Sequence, residues 1–186
     1  MHKHVARDGA VFLIRRPKEN DAEKIIQYSK LLFASTDQLL TTLDEYQITV
    51  DDEKVWINNF LTNPSAIALV AEMNKEIIGL LFFVPMTKKK NRHTGEFGVN
   101  VHPDHQRRGV GHALIETLLN WARESDKIEK VFLTVFATNK NAISLYKNMG
   151  FAEEGRHVKA IKQDSGEYID TIQMYIETNR AGDAGL

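Results

Sequence analysis

The chain has no cysteine among its 186 residues. That absence excludes disulfides, thiolate metal sites and a cysteine nucleophile together, and it fits a reducing compartment. Net charge is nearly absent too, at -1, so no global field draws the chain to nucleic acid or to an anionic membrane. No apolar run approaches the length of a membrane span. The first ten residues, MHKHVARDGA, lack the apolar stretch of a signal peptide. Internal repeats and low-complexity tracts are missing as well. The expectation is a soluble, cytoplasmic chain with no nucleic acid and no membrane among its partners.

What is present is ample apolar material, 42% of residues, enough for a real core in one domain spanning residues 1–186. Residues 1–9 are polar and read as a frayed end; His2 and His4 there read as an ordinary tail rather than a metal site. Strand patterns occupy residues 10–16, 66–73, 77–86, 94–101, 130–138, 151–157 and 168–176, and 178–186 read as a loose polar end. Helical patterns begin near Asp21, with Ile25, Ile26, Leu31 and Leu32 as the apolar stripe, and at Asp51-Asp52-Glu53, where acid meets the helix dipole. A third long helix carries Ala113, Leu114, Leu118, Trp121 and Ala122, and a short fourth follows Asn139. The order β α α β β β α β α β β predicts an α/β fold: a mixed sheet of six to seven strands flanked by about four helices. Trp56 reads as core. Lys88-Lys89-Lys90-Asn91-Arg92-His93 lies between two strands without interleaved aromatics and reads as a solvated loop.

One stretch points to chemistry. Phe97, Val99 and Val101 alternate with Glu96, Gly98 and Asn100, a period-2 strand that must stop before Pro103. Between it and the long helix lies Gln106-Arg107-Arg108-Gly109-Val110-Gly111. Glycines let backbone approach a ligand, and the first N–H groups of a helix point at an anion. A phosphate-bearing ligand is expected. No Gly-Lys-Ser/Thr follows, so this is not a Walker loop. Gly109-x-Gly111 reaches Leu114 rather than a third glycine, so it is not a dinucleotide fingerprint.

The Gln-x-x-Gly-x-Gly pattern after a strand resembles the acetyl-CoA signature of the GCN5-related N-acetyltransferase (GNAT) family. The segment Asn139-x-x-Ala142-x-x-Leu145-Tyr146-x-x-x-Gly150-Phe151 is similar to that family's second motif at every position. The resemblance covers roughly residues 10–176. It implies the acyl-CoA N-acyltransferase fold and acetyl-CoA as co-substrate. It further implies that the strand backbone at Val99, Asn100 and Val101 pairs with the pantetheine amides. Gln106, Arg107, Arg108, Gly109, Val110, Gly111 and His112 would hold the pyrophosphate, and Asn139 the pantetheine arm. Tyr146 would protonate or stabilise the departing thiolate.

The attacking amine must be neutral, whereas alkyl ammonium groups have pKa values near 10. A base is therefore expected. Glu96 is the candidate, on the same strand face as Asn100; His102 and His93 are weaker ones. Direct transfer needs no metal, and no metal cluster is visible. The expected function is acetyl transfer from acetyl-CoA to a primary amine in a ternary complex, with a small-molecule acceptor. A protein N-terminus or lysine as acceptor, and a non-catalytic CoA-binding sensor, stay open; so does a homodimer. Residues 32–50 and the turn at 164–168 should set the acceptor, and the acids of the first segment favour a cationic one.

Overall fold

The structure, a computed structural model, describes residues 2–178. Eight strands form one mixed sheet: β1 (His2–Val5), β2 (Val11–Arg15), β3 (Ile67–Met73), β4 (Glu76–Pro85), β5 (Thr94–Val101), β6 (Lys130–Phe136), β7 (Ala152–Lys162) and β8 (Tyr168–Glu177). Their order is β1-β2-β3-β4-β5-β6-β8-β7. Four helices accompany them: α1 (Ala22–Ser35), α2 (Val50–Thr62), α3 (Val110–Glu124) and α4 (Lys140–Asn148). The mixed α/β expectation holds. Among the described residues, no helix is long and apolar enough to cross a membrane.

Contacts divide the chain into two units. The first holds the residues up to Asp37, Thr41–Val84 and Gly98–Leu118. Its strands β1 to β3 pair antiparallel with their neighbours, and β3 pairs likewise with β4. Asn74 and Lys75 both take positive φ, 53° and 68°, between Met73 and its partner Glu76. That is the geometry of a two-residue hairpin turn whose twist matches the strands it joins. The core contains Phe12, Ile14, Ile25, Ile57, Leu81 and Leu114, all almost fully buried. Trp56 is half-buried against Phe60, ring centroids 4.6 Å apart, as a core side chain should be.

The second unit holds Gln38–Leu40, Pro85–Phe97 and the residues from Leu119 onward. Its sheet joins the first half of β5 to β6 in parallel, with Glu96 opposite Phe132. Then β8 pairs antiparallel with both β6 and β7. Val131, Leu133 and Met174 form its buried centre.

Three expectations are corrected. The N-terminal residues make an eighth strand, because β2 presents unpaired edge groups and His4 and Val5 lie opposite Phe12 and Val11; backbone pairing at an edge needs no apolar side chains. Leu31 is exposed, and Tyr28 and Ser29 take its place on the buried face of α1. Thr178 is buried, its hydroxyl donating to the Ile128 carbonyl at 2.6 Å; the rest of the expected loose end lies outside the described residues. The lysine run does form an exposed loop between β4 and β5.

Candidate active site

In the first unit the chain leaves β5 at Val101 through a short 3-10 turn, Pro103–His105. Proline at its start removes a donor that would have no partner there. Gln106 Nε2 donates back to the Val101 carbonyl at 3.2 Å, tying the loop to the strand end. Arg107 and Gly109 then both adopt left-handed φ, 59° and 94°. These two residues turn the chain into α3. A Cβ built on Gly109 meets nothing within 4 Å, so the space over this residue is open. Ala113 N–H donates to the Gly109 carbonyl at 3.0 Å, closing the first helical turn. The amides of Val110, Gly111 and His112 precede that first bond, and at a helix start they are the donors left for a ligand. Just upstream, Val99, Asn100 and Val101 are half-buried on β5. A Cβ on Gly98 would sit 2.7 Å from the Phe82 ring, so glycine is required for that close approach.

The two arginines of the loop differ. Arg107 is exposed. Arg108 is turned onto the N-terminal segment: its guanidinium bonds His105 Nδ1 at 2.9 Å and pairs with Asp8. Its carbonyl accepts from the Arg7 N–H at 3.1 Å. The Ala10 amide and Arg108 hold the Asp8 carboxyl below its ordinary range. Burial, aided by the Arg108 charge, lowers His105 as well. Arg108 thus braces the loop from the side that the sequence reading took for a frayed end.

In the second unit, Glu96 is half-buried on β5 and its Oε1 accepts from Thr134 Oγ1 at 2.9 Å. Parallel pairing of β5 with β6 brings these side chains together. Asn139 caps α4, its Oδ1 accepting from Ala142 N–H at 3.1 Å. The cap uses the carbonyl oxygen and leaves the side-chain NH2 as the donor for a ligand. Tyr146, on α4, is only 7% exposed. Its ring meets Phe97 edge-on at 6.1 Å and Phe151 at 5.9 Å. Burial raises its hydroxyl to about 12. A cavity of about 300 Å³ is lined by Thr138, Lys140, Arg156, Tyr168 and Asp170 among others. It includes the turn expected to contact the acceptor, and Thr138 Oγ1 donates to Gln38 Oε1 at 2.9 Å on the other expected segment.

Residues 36–49 link α1 to α2. The acidic trio at the start of α2 separates into three jobs. Asp51 pairs with Lys54 at 3.1 Å. Asp52 closes a reciprocal cap with Thr49. Glu53 turns inward and is 6% exposed; burial pushes its carboxyl up to about 7. The expected single acidic cap is thus only partly formed, because Glu53 is buried. The missed signal was periodicity, since Glu53 shares a face with the buried Ile57 and Phe60, four and seven residues on. Among the described residues no cluster of histidine and carboxylate side chains is arranged to hold a metal ion.

A sequence model of the acetyltransferase (GNAT) family matches residues 33–151. The L-amino acid N-acetyltransferase AaaT of Escherichia coli K12 is 28% identical over 87% of this chain and 95% of its own length. Spermidine N(1)-acetyltransferase of Vibrio cholerae is 27% identical over 72% of this chain and 75% of its own length. A GNAT-family acetyltransferase from Streptococcus pneumoniae superimposes with a TM-score of 0.86 at 25% identity, covering 89% of this chain and 99% of that one. Fold, helix-start loop and these relatives together define an acetyl-CoA-dependent N-acetyltransferase. More specifically, the chain belongs to the acetyltransferase (GNAT) family.

Proposed function

We propose that the enzyme transfers acetyl from acetyl-CoA directly to a primary amine of a small molecule, both substrates being held in one ternary complex. The observation that carries the reading is Tyr146, a buried phenol that keeps its proton across the physiological range. The amides of Val110, Gly111 and His112 receive the pyrophosphate in the open space over Gly109. Gln106 and Arg108 keep that loop in shape, and Arg107 and the helix dipole add positive charge. The backbone of Val99, Asn100 and Val101 pairs with the pantetheine amides as an added strand, and the Asn139 amide donates to the same arm. Glu96, oriented by Thr134, takes the proton that the ammonium must lose, directly or through water. Nitrogen then bonds to the acetyl carbon as the carbon–sulfur bond breaks, the surplus N–H proton leaves to water, and Tyr146 donates a hydrogen bond to the leaving thiolate, which is protonated from solvent. The transfer balances without metal or redox partner.

Small amines are favoured as acceptors because both named enzymes above act on such compounds. On this reading residues 1–186 work as one catalytic domain. The test is release of CoA thiol across a panel of amino acids, polyamines, lysine peptides and peptides with free N-termini. We expect thiol release with a small amine. Release only with peptides would move the enzyme to protein substrates, and tight CoA binding without any release would make it a sensor.

The cradle has a test of its own. A β-branched residue is strained at the left-handed φ of Gly109. Gly109→Val should weaken acetyl-CoA binding about tenfold or more, as a strain of a few kcal/mol implies. Calorimetry with wild-type affinity in this variant would remove the cradle.

A further inference from the structure

Gly98 and Phe82 take no part in the mechanism above. Hydrogen bonds from Met86 N–H to the Thr94 carbonyl and from His102 N–H to the Ile78 carbonyl, each 2.9 Å, bracket the pairing of β4 with β5. Midway between them Phe82 stands opposite Gly98. Side chains directly opposite on neighbouring strands share a face. Glycine leaves its place on that face empty, and the Phe82 ring leans into it. The ring tip, Cζ, lies 2.7 Å from where a Gly98 Cβ would stand, and Cε1 lies at 2.9 Å. The ring is held from behind. On β3, Ala68 is opposite Phe82 and almost fully buried. Trp56 of α2 meets the Phe82 ring edge-on, centroids 6.2 Å apart at 84°. Phe60, Ala66 and Ala68 make the buried cluster on which these two half-buried rings rest. The ring cannot retreat toward β3 without overpacking that cluster, which is costly.

A glycine inside a strand weakens the strand, and it often marks a place that a ligand approaches closely. On the acetyltransfer reading the ring closes the acyl path. The pyrophosphate lies at the start of α3, beyond Val101, and the pantetheine runs back past Asn100 to Val99. The thioester then arrives beside Gly98, one strand residue or about 3.3 Å further on. Gly98, Val99, Asn100 and Val101 are all half-buried rather than covered. An acetyl group ends one carbon past its carbonyl. Propionyl and butyryl groups add one and two methylenes, which extend toward the volume that the ring tip fills.

We infer that Phe82, backed by Trp56 and seated over Gly98, sets the acyl length of the donor and admits acetyl-CoA in preference to longer acyl-CoA thioesters. The inference rests on the acetyltransfer reading, but thioester binding is measurable without turnover. One methylene in an apolar pocket is worth roughly 10- to 200-fold. With a single amine that wild type acetylates, kcat/KM for butyryl-CoA should lie about a hundredfold or more below that for acetyl-CoA, with propionyl-CoA between. Phe82→Leu keeps an apolar side chain on the cluster and withdraws the ring tip. It should raise the butyryl-to-acetyl ratio of kcat/KM about tenfold or more, with the KM for the amine within about threefold. Phe82→Ala should raise the ratio further, and Phe82→Leu carries the test if the alanine variant does not fold. A purely structural loss lowers both thioesters alike and leaves the ratio where it was. An unchanged ratio in folded Phe82→Leu, or wild type using butyryl-CoA as well as acetyl-CoA, would overturn the inference. Calorimetry separates the two readings. If wild type releases no thiol from any thioester with any amine, the acetyltransfer reading fails. Acetyl-CoA binding about tenfold tighter than butyryl-CoA in wild type, with the gap closed in Phe82→Leu, then upholds the wall. Equal or absent binding in wild type, or a gap intact in Phe82→Leu, overturns it.

Discussion

Tyr146→Phe should lower kcat about a hundredfold while leaving the KM for acetyl-CoA within about threefold, the range expected for losing one proton-managing group. The phenylalanine ring keeps the packing against Phe97 and Phe151, so the fold should survive and only the hydroxyl is tested. The direction of proton flow follows from burial. Tyr146 is held up to about 12, while an ordinary thiol lies near about 8.5. Full transfer from phenol to thiolate would be uphill by about 5 kcal/mol at roughly 1.4 kcal/mol per unit. In the proposed mechanism Tyr146 is therefore a hydrogen-bond donor to the leaving sulfur, whose proton arrives later from solvent. Steady-state kinetics check the prediction, with CD spectra confirming the fold. An unchanged kcat would remove Tyr146 from the chemistry.

Glu53→Gln should make the folded state more stable than wild type at pH 8, by about 3 kcal/mol, and no more stable near pH 4.5. The sign follows from the raised carboxyl. Burial lifts the folded-state value to about 7 from the ordinary 4.5. Between those values the folded chain holds a proton that the unfolded chain has lost. Stability tied to this group is thus present below about pH 4.5 and lost as pH rises through 7. Glutamine has no proton to lose and keeps the contacts. Urea unfolding of both proteins from pH 4.5 to 8 isolates the effect, because every other titrating group is common to the pair. Parallel curves would show that Glu53 is solvated in the folded protein. A diverging pair would show that burying the ionised carboxyl costs the fold stability at neutral pH.

The helix-start loop was legible because its requirements are local. Two left-handed residues, Arg107 and Gly109, and the helix start at Val110 lie within four positions of one another. The capped start of α4 was legible for the same reason, since Asn139 bonds a residue three positions away. The near-continuous apolar runs that became β3 and β4 announced a buried hairpin. The N-terminal strand was not legible, because an edge strand is recruited by the backbone of its neighbour and leaves little mark on its own side chains.

Residue types and spacing by themselves thus determined the element order from β2 onward, the helix-start loop and the Asn139–Phe151 segment, the two stretches that carry the resemblance to the family. Tertiary structure alone decided that Arg108 turns to Asp8, 100 positions away. It also decided that Thr134 holds Glu96 across 38 positions, and that one acid of three, Glu53, goes inside. The physical reason is the range of the interactions. Caps, turns and periodic faces are settled within one or two turns of chain, whereas ion pairing and desolvation depend on which distant surfaces the fold presses together.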